Sequence, residues 1–297
     1  MMLNRNLEIF LKVAEYGSIT KAAKTLYITQ PAASNAIAKL ESELNVTLFF
    51  RDKRSGLKLT EIGNRILALA KNMDDINNRI TQISYEENNI LKGKLKIGAL
   101  TFLVSTIISK ALKKYIKKYP NVIIEIKEGT PNEIFTMVED HSVDFALSCS
   151  PFGNFKAINL IHDKIIATTR DPINTDEKII NINNPSNILI INKPAYETIL
   201  DHIQDKNFIK TDKVIIVQNA ETAINLVNDG IGIGIISEYT LNTLAKDYCK
   251  YSININIEFD IGLFAADLKE LPPLAEKFIE IIQDDIQHFY SNAPMVT

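Results

Sequence analysis

Tryptophan is absent from this sequence, cysteine occurs twice and arginine six times in 297 residues. Cys149 and Cys249 make neither a disulfide framework nor a metal set, so buried free thiols are expected. The four histidines (His141, His162, His202 and His288) are scattered without metal-ligand spacing, and no metal or other cofactor is expected. No apolar run reaches the roughly 18–20 residues that a membrane-spanning helix needs. The opening stretch from Met1 to Asn6 lacks the basic region and apolar core of a secretory signal, which makes the cytoplasm the expected compartment. There is no phosphate-loop Gly-Lys-Ser/Thr and no nucleophile elbow. Gly230, Gly232 and Gly234 superficially suggest a nucleotide loop, but they sit in an apolar strand-like run with no third glycine at the required offset. No enzymatic motif survives.

What is present is a globular composition, 46% hydrophobic and 23% charged. The length fits two domains, or three compact units if one is small. The formal net charge of −3 hides an asymmetry. Residues 1–71 hold 11 Lys and Arg against 6 Asp and Glu, while the other 226 residues hold 22 against 30. A basic head on an acidic body is the charge layout of a nucleic-acid-binding module joined to a larger domain.

The head reads as three helices and a turn. Leu3, Leu7, Phe10, Leu11, Val13 and Ala14 repeat at helical spacing and stop at Gly17. Ser18 is placed to cap a second helix whose Ala22 and Ala23 allow close packing. Thr29 and Pro31 open a third. On that helix Ala33, Ile37, Leu40 and Leu44 form the stripe expected to face the core, leaving Gln30, Ser34, Asn35 and Ala38 outward. That small, polar face suits a major groove. Two strand-like runs then flank a basic turn, a wing that lays Arg51, Lys53 and Arg54 along phosphates. Taken singly, Gln30 is compatible with a surface amide and Arg51 with a pair to Glu43.

Together, Leu7, Phe10, Gly17-Ser18, Ala22-Ala23, Leu26, Gln30-Pro31-Ala32, Ser34, Ile37, Leu40-Glu41, Leu44, Leu48-Phe49, Arg51, Leu59-Thr60 and Gly63 resemble the signature of LysR-type transcriptional regulators. The resemblance implies DNA contacts at Gln30, Pro31, Ser34 and Arg51. It departs at Asn35, where a longer basic or amide side chain is common, and so leaves open which base step is read there.

From Glu61 to Asn89 a long helix is expected, about 43 Å at about 1.5 Å per residue. Ile62, Ile66, Leu69, Met73, Ile76, Ile80 and Ile83 step by 4 and 3, a heptad seam. Such a stripe needs a partner, within the chain or on a second copy, and self-pairing into a homodimer or homotetramer is the expectation, one with which the resemblance agrees. Paired heads would read an inverted repeat.

Beyond Gly93, strands at 94–99, 122–128 and 143–148 alternate with helices at 104–119 and 133–140. A second series begins near Ile165, with strands near 188–191, 214–217 and 232–236 and a helix over 220–228. The tail from Pro272 to Phe289 has helical spacing. The expected fold is thus α/β: a winged helix-turn-helix at 1–60, a linker and dimerisation helix at 61–92, and a two-lobed, doubly wound α/β domain at 93–297 (lobe I 93–164 and 264–297, lobe II 165–263) with a cleft between lobes. This half also resembles the effector-binding part of the same family, related in fold to periplasmic solute-binding proteins, through Ile97-Gly98, Tyr119-Pro120, Glu128-Gly129, Val143-Asp144 and Leu226-Val227 onward.

The resemblance implies effector contacts at Thr101, Thr130, Ser148 and Asn192, although Thr101 and Thr130 are equally placed to cap helices. Only Arg170 of the six arginines lies in the body, so a bidentate clamp on a dianion is not expected in the cleft, and a small neutral or singly charged effector is. The resemblance further implies operator DNA and RNA polymerase as partners, with no membrane. The alternative is a solute-binding or enzymatic α/β module whose N-terminal helices serve only assembly; the basic wing and the outward Gln30 and Ser34 argue against it.

Overall fold

A computed structural model describes residues 5–52, 56–87, 91–173, 178–184, 186–193, 199, 213–245 and 247–291. The head comprises α1 (Arg5–Tyr16), α2 (Ile19–Thr25), α3 (Gln30–Leu44) and the antiparallel pair β1 (Phe49–Asp52) and β2 (Gly56–Leu59). Ser18 and Thr29 cap α2 and α3 with their side-chain oxygens, accepting from Lys21 N and Ala32 N at 3.3 Å each. The core they close contains Phe10, Val13, Ala22, Ala23, Ala33, Ala36, Ile37, Leu40 and Leu48, with the Phe10 and Phe49 rings edge to face at 5.5 Å. The expected core stripe of α3 holds for Ala33, Ile37 and Leu40, but Leu44 is 45% exposed and Ala36 is buried in the stripe. Leu44 is the last residue of α3, beyond the reach of α1 and α2, and the chain turns away at Asn45 in the left-handed conformation.

α4 (Glu61–Glu87) runs unbroken for 27 residues, about 40 Å at the usual rise. Thr60 ties it to the wing: its hydroxyl donates to Thr47 O at 2.7 Å and accepts from Gly63 N at 2.9 Å. A Cβ at Gly63 would lie 2.3 Å from Leu48 O, so only glycine lets the helix approach the wing this closely.

In the body, ten strands among the described residues form one curled sheet. β3 (Gly93–Ala99), β4 (Val122–Glu128) and β5 (Phe145–Cys149) pair in parallel in the order β4-β3-β5. β8 (Leu189–Asn192), β9 (Val214–Val217) and β10 (Ile233–Ser237) repeat that arrangement as β9-β8-β10. Two antiparallel strands stitch the halves together, β6 (Ala157–Thr169) and β12 (Glu258–Phe264). Residues 157–164 of β6 pair with β12 and residues 165–168 with β10, so one strand belongs to both halves. β11 (Cys249–Ile253) joins β6 and the short β7 (Ile179–Ile180).

The helix expected from residue 104 starts earlier. It runs as α5 (Thr101–Leu103), a π-helical stretch Val104–Ile108 and α6 (Ser109–Lys118). α7 (Pro131–Glu139), α8 (Ala220–Asn228), α9 (Glu238–Leu244) and α10 (Pro273–Ser291) complete the layers. Replacing Gly63 by Ala drives a methyl into the Leu48 carbonyl. The expected loss is about 1–3 kcal/mol, the range for overpacking a tight site, read as a lower melting temperature of the full-length protein. An unchanged melting temperature would mean that α4 and the wing are not in this contact.

Candidate DNA-binding face, dimer seam and effector cleft

The outward side of α3 carries the predicted recognition residues. Gln30, Pro31 and Asn35 are exposed and Ser34 is half-buried, opposite the side that holds Ala33, Ala36, Ile37 and Leu40. Arg51 lies on β1, its backbone opposite Leu57, while Lys53 and Arg54 fall outside the described residues. The wing is fixed to the helix by a contact between a side chain and the backbone. Glu41 Oε1 accepts from Leu48 N at 2.6 Å and from Phe49 N at 3.2 Å, so one carboxylate holds the start of the wing's first strand against α3.

The α4 stripe divides along its length. Ile66 packs on the head core and Ile62 is half-buried, but Leu69, Met73, Ile76, Ile80 and Ile83 are each between 47% and 66% exposed. Five large apolar side chains at heptad spacing therefore lie uncovered within the chain. A different face of α4 grips the body through polar groups. Lys71 pairs with Asp140 and bonds Ser142 Oγ at 3.0 Å. Arg79 reaches Glu270 at 3.1 Å. Gln82, 1% exposed, donates to Lys94 O at 3.1 Å and accepts from Leu274 N at 3.2 Å.

Between the two halves of the body lies a cavity of about 1030 Å³. Four helix starts open on it, those of α5, α7, α8 and α9. Three are already capped by the chain itself. Thr130 forms a reciprocal capping box with Glu133, Asn219 accepts from Thr222 N at 2.9 Å, and Ser237 accepts from Thr240 N at 3.0 Å. The α5 start has no side-chain cap, and Thr101 is exposed there. Of the predicted contacts, Thr101, Thr130 and Asn192 line the cavity, while Ser148 is fully enclosed beside the lining residue Cys149. Thr130 is engaged as a helix cap. Asn192 Oδ1 and Ser148 Oγ are buried with no hydrogen-bond partner among the described residues.

The charges at the cavity are Glu128, Glu133 and Glu221 against Lys193, with no arginine among the described lining. Arg170 lies elsewhere, donating to Asp247 O at 3.3 Å and resting over the Tyr248 ring. The hydrogen bonds from Thr130 hold the Glu133 carboxyl below its ordinary range, and nearby Lys193 adds to the effect. Burial, followed by the Asp163 carboxylate, pushes the Cys149 thiol up, which keeps it neutral. Both cysteines are free and half-buried.

Residues 4–64 match the family model described as a bacterial regulatory helix-turn-helix protein, lysR family, and residues 88–173 match the LysR substrate binding domain. The HTH-type transcriptional regulator YoaU of Bacillus subtilis (strain 168) is 38% identical over 287 residues, covering 95% of this chain and 99% of that one. The chain belongs to the LysR family of transcriptional regulators. Full-length LysR-type regulators share its fold. An OxyR variant from Pseudomonas aeruginosa superposes with a TM-score of 0.70 at 18% identity, over 97% of this chain and 95% of that one. CbnR, solved with its target DNA, gives 0.50 at 19% identity, over 96% and 100%.

This LysR-type regulator thus carries a DNA-binding helix-turn-helix and an effector-binding domain, and its relatives are transcriptional regulators rather than enzymes. No helix among the described residues is long and apolar enough to cross a membrane. In the sequence Glu41 stands out only as one residue of the family signature, because its partners are two backbone N–H groups that no residue pattern marks. Replacing it with Ala leaves both donors without their acceptor. The expected cost is about 1–3 kcal/mol, with weaker DNA binding as the wing loosens, checked by thermal melting and by titration of a fluorescent DNA fragment. Wild-type values for both would show that the wing is held by something else.

Proposed function

We propose that this regulator binds operator DNA as a homodimer or homotetramer and changes its grip when a small molecule occupies the cleft. The observation that carries the oligomer is the exposed seam Leu69, Met73, Ile76, Ile80 and Ile83, joined by Ile62 and Ile66 nearer the head. Burying it on a second α4 removes five large side chains from water, each worth about 1.5–3 kcal/mol when fully buried. Two heads on one axis then read an interrupted inverted repeat. In each head Gln30, Pro31, Ser34 and Asn35 enter the major groove, and Arg51, Lys53 and Arg54 follow the phosphates. The solved neighbour CbnR on its target DNA supports that use of the fold.

The division of labour follows residues 1–60, 61–92 and 93–297, with the cleft between lobes of the last. The effector is a small neutral or singly charged molecule touching Thr101 and Asn192. The three carboxylates facing one lysine at the cavity, and the absence of arginine from its described lining, support that class. Ser148 acts from behind Cys149, and Thr130 through the helix it caps. Effector closure turns the heads on α4, alters DNA bending and thereby the recruitment of RNA polymerase, in the cytoplasm where the operator is.

Footprinting the purified protein on the DNA upstream of its own gene at two salt concentrations tests the reading. Protection of an interrupted inverted repeat supports it, and lack of protection at low salt as well favours the solute-binding alternative. Arg51→Ala weakens binding at all sequences alike and lowers the salt slope by about 1, because it removes one phosphate contact. No change in slope would place Arg51 off the DNA. Ile76→Asp combined with Ile80→Asp leaves the fold intact, since both side chains are exposed, and yields monomers in sedimentation. A double variant that stays dimeric would move the interface elsewhere.

A further inference from the structure

Where α4 crosses the start of the effector-binding domain, two acidic side chains meet. Asp75 comes from the helix, and Asp144 from the turn that opens β5. Asp144 Oδ2 accepts from Lys96 N at 2.7 Å, and Asp144 N donates to Lys96 O at 2.8 Å, so this carboxyl is locked to β3. Asp75 lies within hydrogen-bonding reach of Asp144, yet its Oδ1 is shut off from solvent with no donor among the described residues. Two ionised carboxylates contain only acceptors. One proton between them supplies the missing donor and removes one of two like charges from a low-dielectric contact.

Other titratable groups lie on the elements around the pair, of which Lys96, His141 and Arg79 act on Asp75 directly. On α4 are Lys71, Asp74 and Arg79; on β3 Lys96, whose Nζ is 3.8 Å from Asp74; on the α7–β5 turn Asp140 and His141; on α6 Tyr115; and on β4 Lys127, bonded to Ser142 O. Lys96, His141 and Arg79 oppose the rise at Asp75, and the lysines and the arginine around the pair also engage other acids. Lys71 is bound by Asp140, Arg79 by Glu270 and Lys96 by Asp74.

We propose that Asp75 and Asp144 share a single proton across the joint between the dimerisation helix and the effector-binding domain, so that this helix is held more tightly in acid than in alkali. Burial first, and then the neighbouring acid, pushes the Asp144 carboxyl up to about 7, and burial likewise raises Asp75. A carboxyl whose folded value lies above its unfolded value of 3.8 contributes stability that is full below 3.8 and lost as the pH climbs to the folded value. Because α4 joins the heads to the cleft, this joint makes operator binding responsive to pH independently of any effector.

Infrared difference spectra of the full-length protein test the shared proton. At about pH 6, where exposed carboxyls are ionised, the wild type shows the carbonyl band of a protonated acid; the band is gone by about pH 8 and absent from Asp75→Asn. Asp163→Asn, at another buried acid, leaves it in place. No band in the wild type at about pH 6, or one removed only by Asp163→Asn, overturns the proposal. Asparagine at position 75 keeps the shape and donates an N–H to Asp144 at every pH. The wild-type melting temperature therefore falls relative to that of Asp75→Asn by several degrees as the pH rises from about 5 to about 8. A gap that stays constant with pH overturns the proposal as well. Asp144→Asn repeats both measurements from the other side of the joint.

Discussion

Gln82 is buried between α4 and the effector-binding domain, and both ends of its amide are used: the nitrogen on Lys94 O, the oxygen on Leu274 N. A backbone group covered by Gln82 and left without a partner would cost free energy comparable to a lost hydrogen bond. With Lys71 on Asp140 and Arg79 on Glu270, it forms a polar stripe that fastens a 27-residue helix to the domain behind it. That attachment leaves the apolar seam of the same helix facing away from the body. Had the apolar stripe been used inside the chain, no surface would remain for a second copy.

A helix loaded in this way transmits position. Its first turns are anchored in the head by Thr60, Gly63 and Ile66, and its last turns by Gln82. Hydrogen bonds and ion pairs resist sliding more sharply than apolar packing, because a shift of an ångström or two breaks them outright. The polar stripe therefore sets the register between head and body.

The cleft is shaped by economy of donors. Four helix starts surround it, and Thr130, Asn219 and Ser237 satisfy three of them locally. Polar capacity left open includes the α5 start with Thr101, and Asn192, whose buried oxygen lacks a partner among the described residues. The π-helical stretch directly after α5 brings Val104 and Ser105 to the cavity wall. β6 and β12 are the strands through which the two halves are continuous.

The head, the seam and the parallel strands were legible in the sequence because each is a local regularity: caps at Ser18 and Thr29, apolar steps of 4 and 3, short β-branched runs between turns. Family motifs in the first 65 residues sharpened the same reading. The sequence by itself determined which surfaces are apolar, which turns are capped and where charge accumulates, since these depend on residues near one another in the chain. Only the tertiary structure decided that Glu41 holds the wing, that β6 spans both halves, that Leu44 faces out while Ala36 faces in, that Thr130 serves its own helix, and that Asp75 meets Asp144. Most of these depend on how whole elements come to lie against one another, and the Glu41 and Asp75 contacts join groups that no short sequence pattern links. Such contacts have no period to betray them, and their energies depend on how completely folding removes water from between the partners.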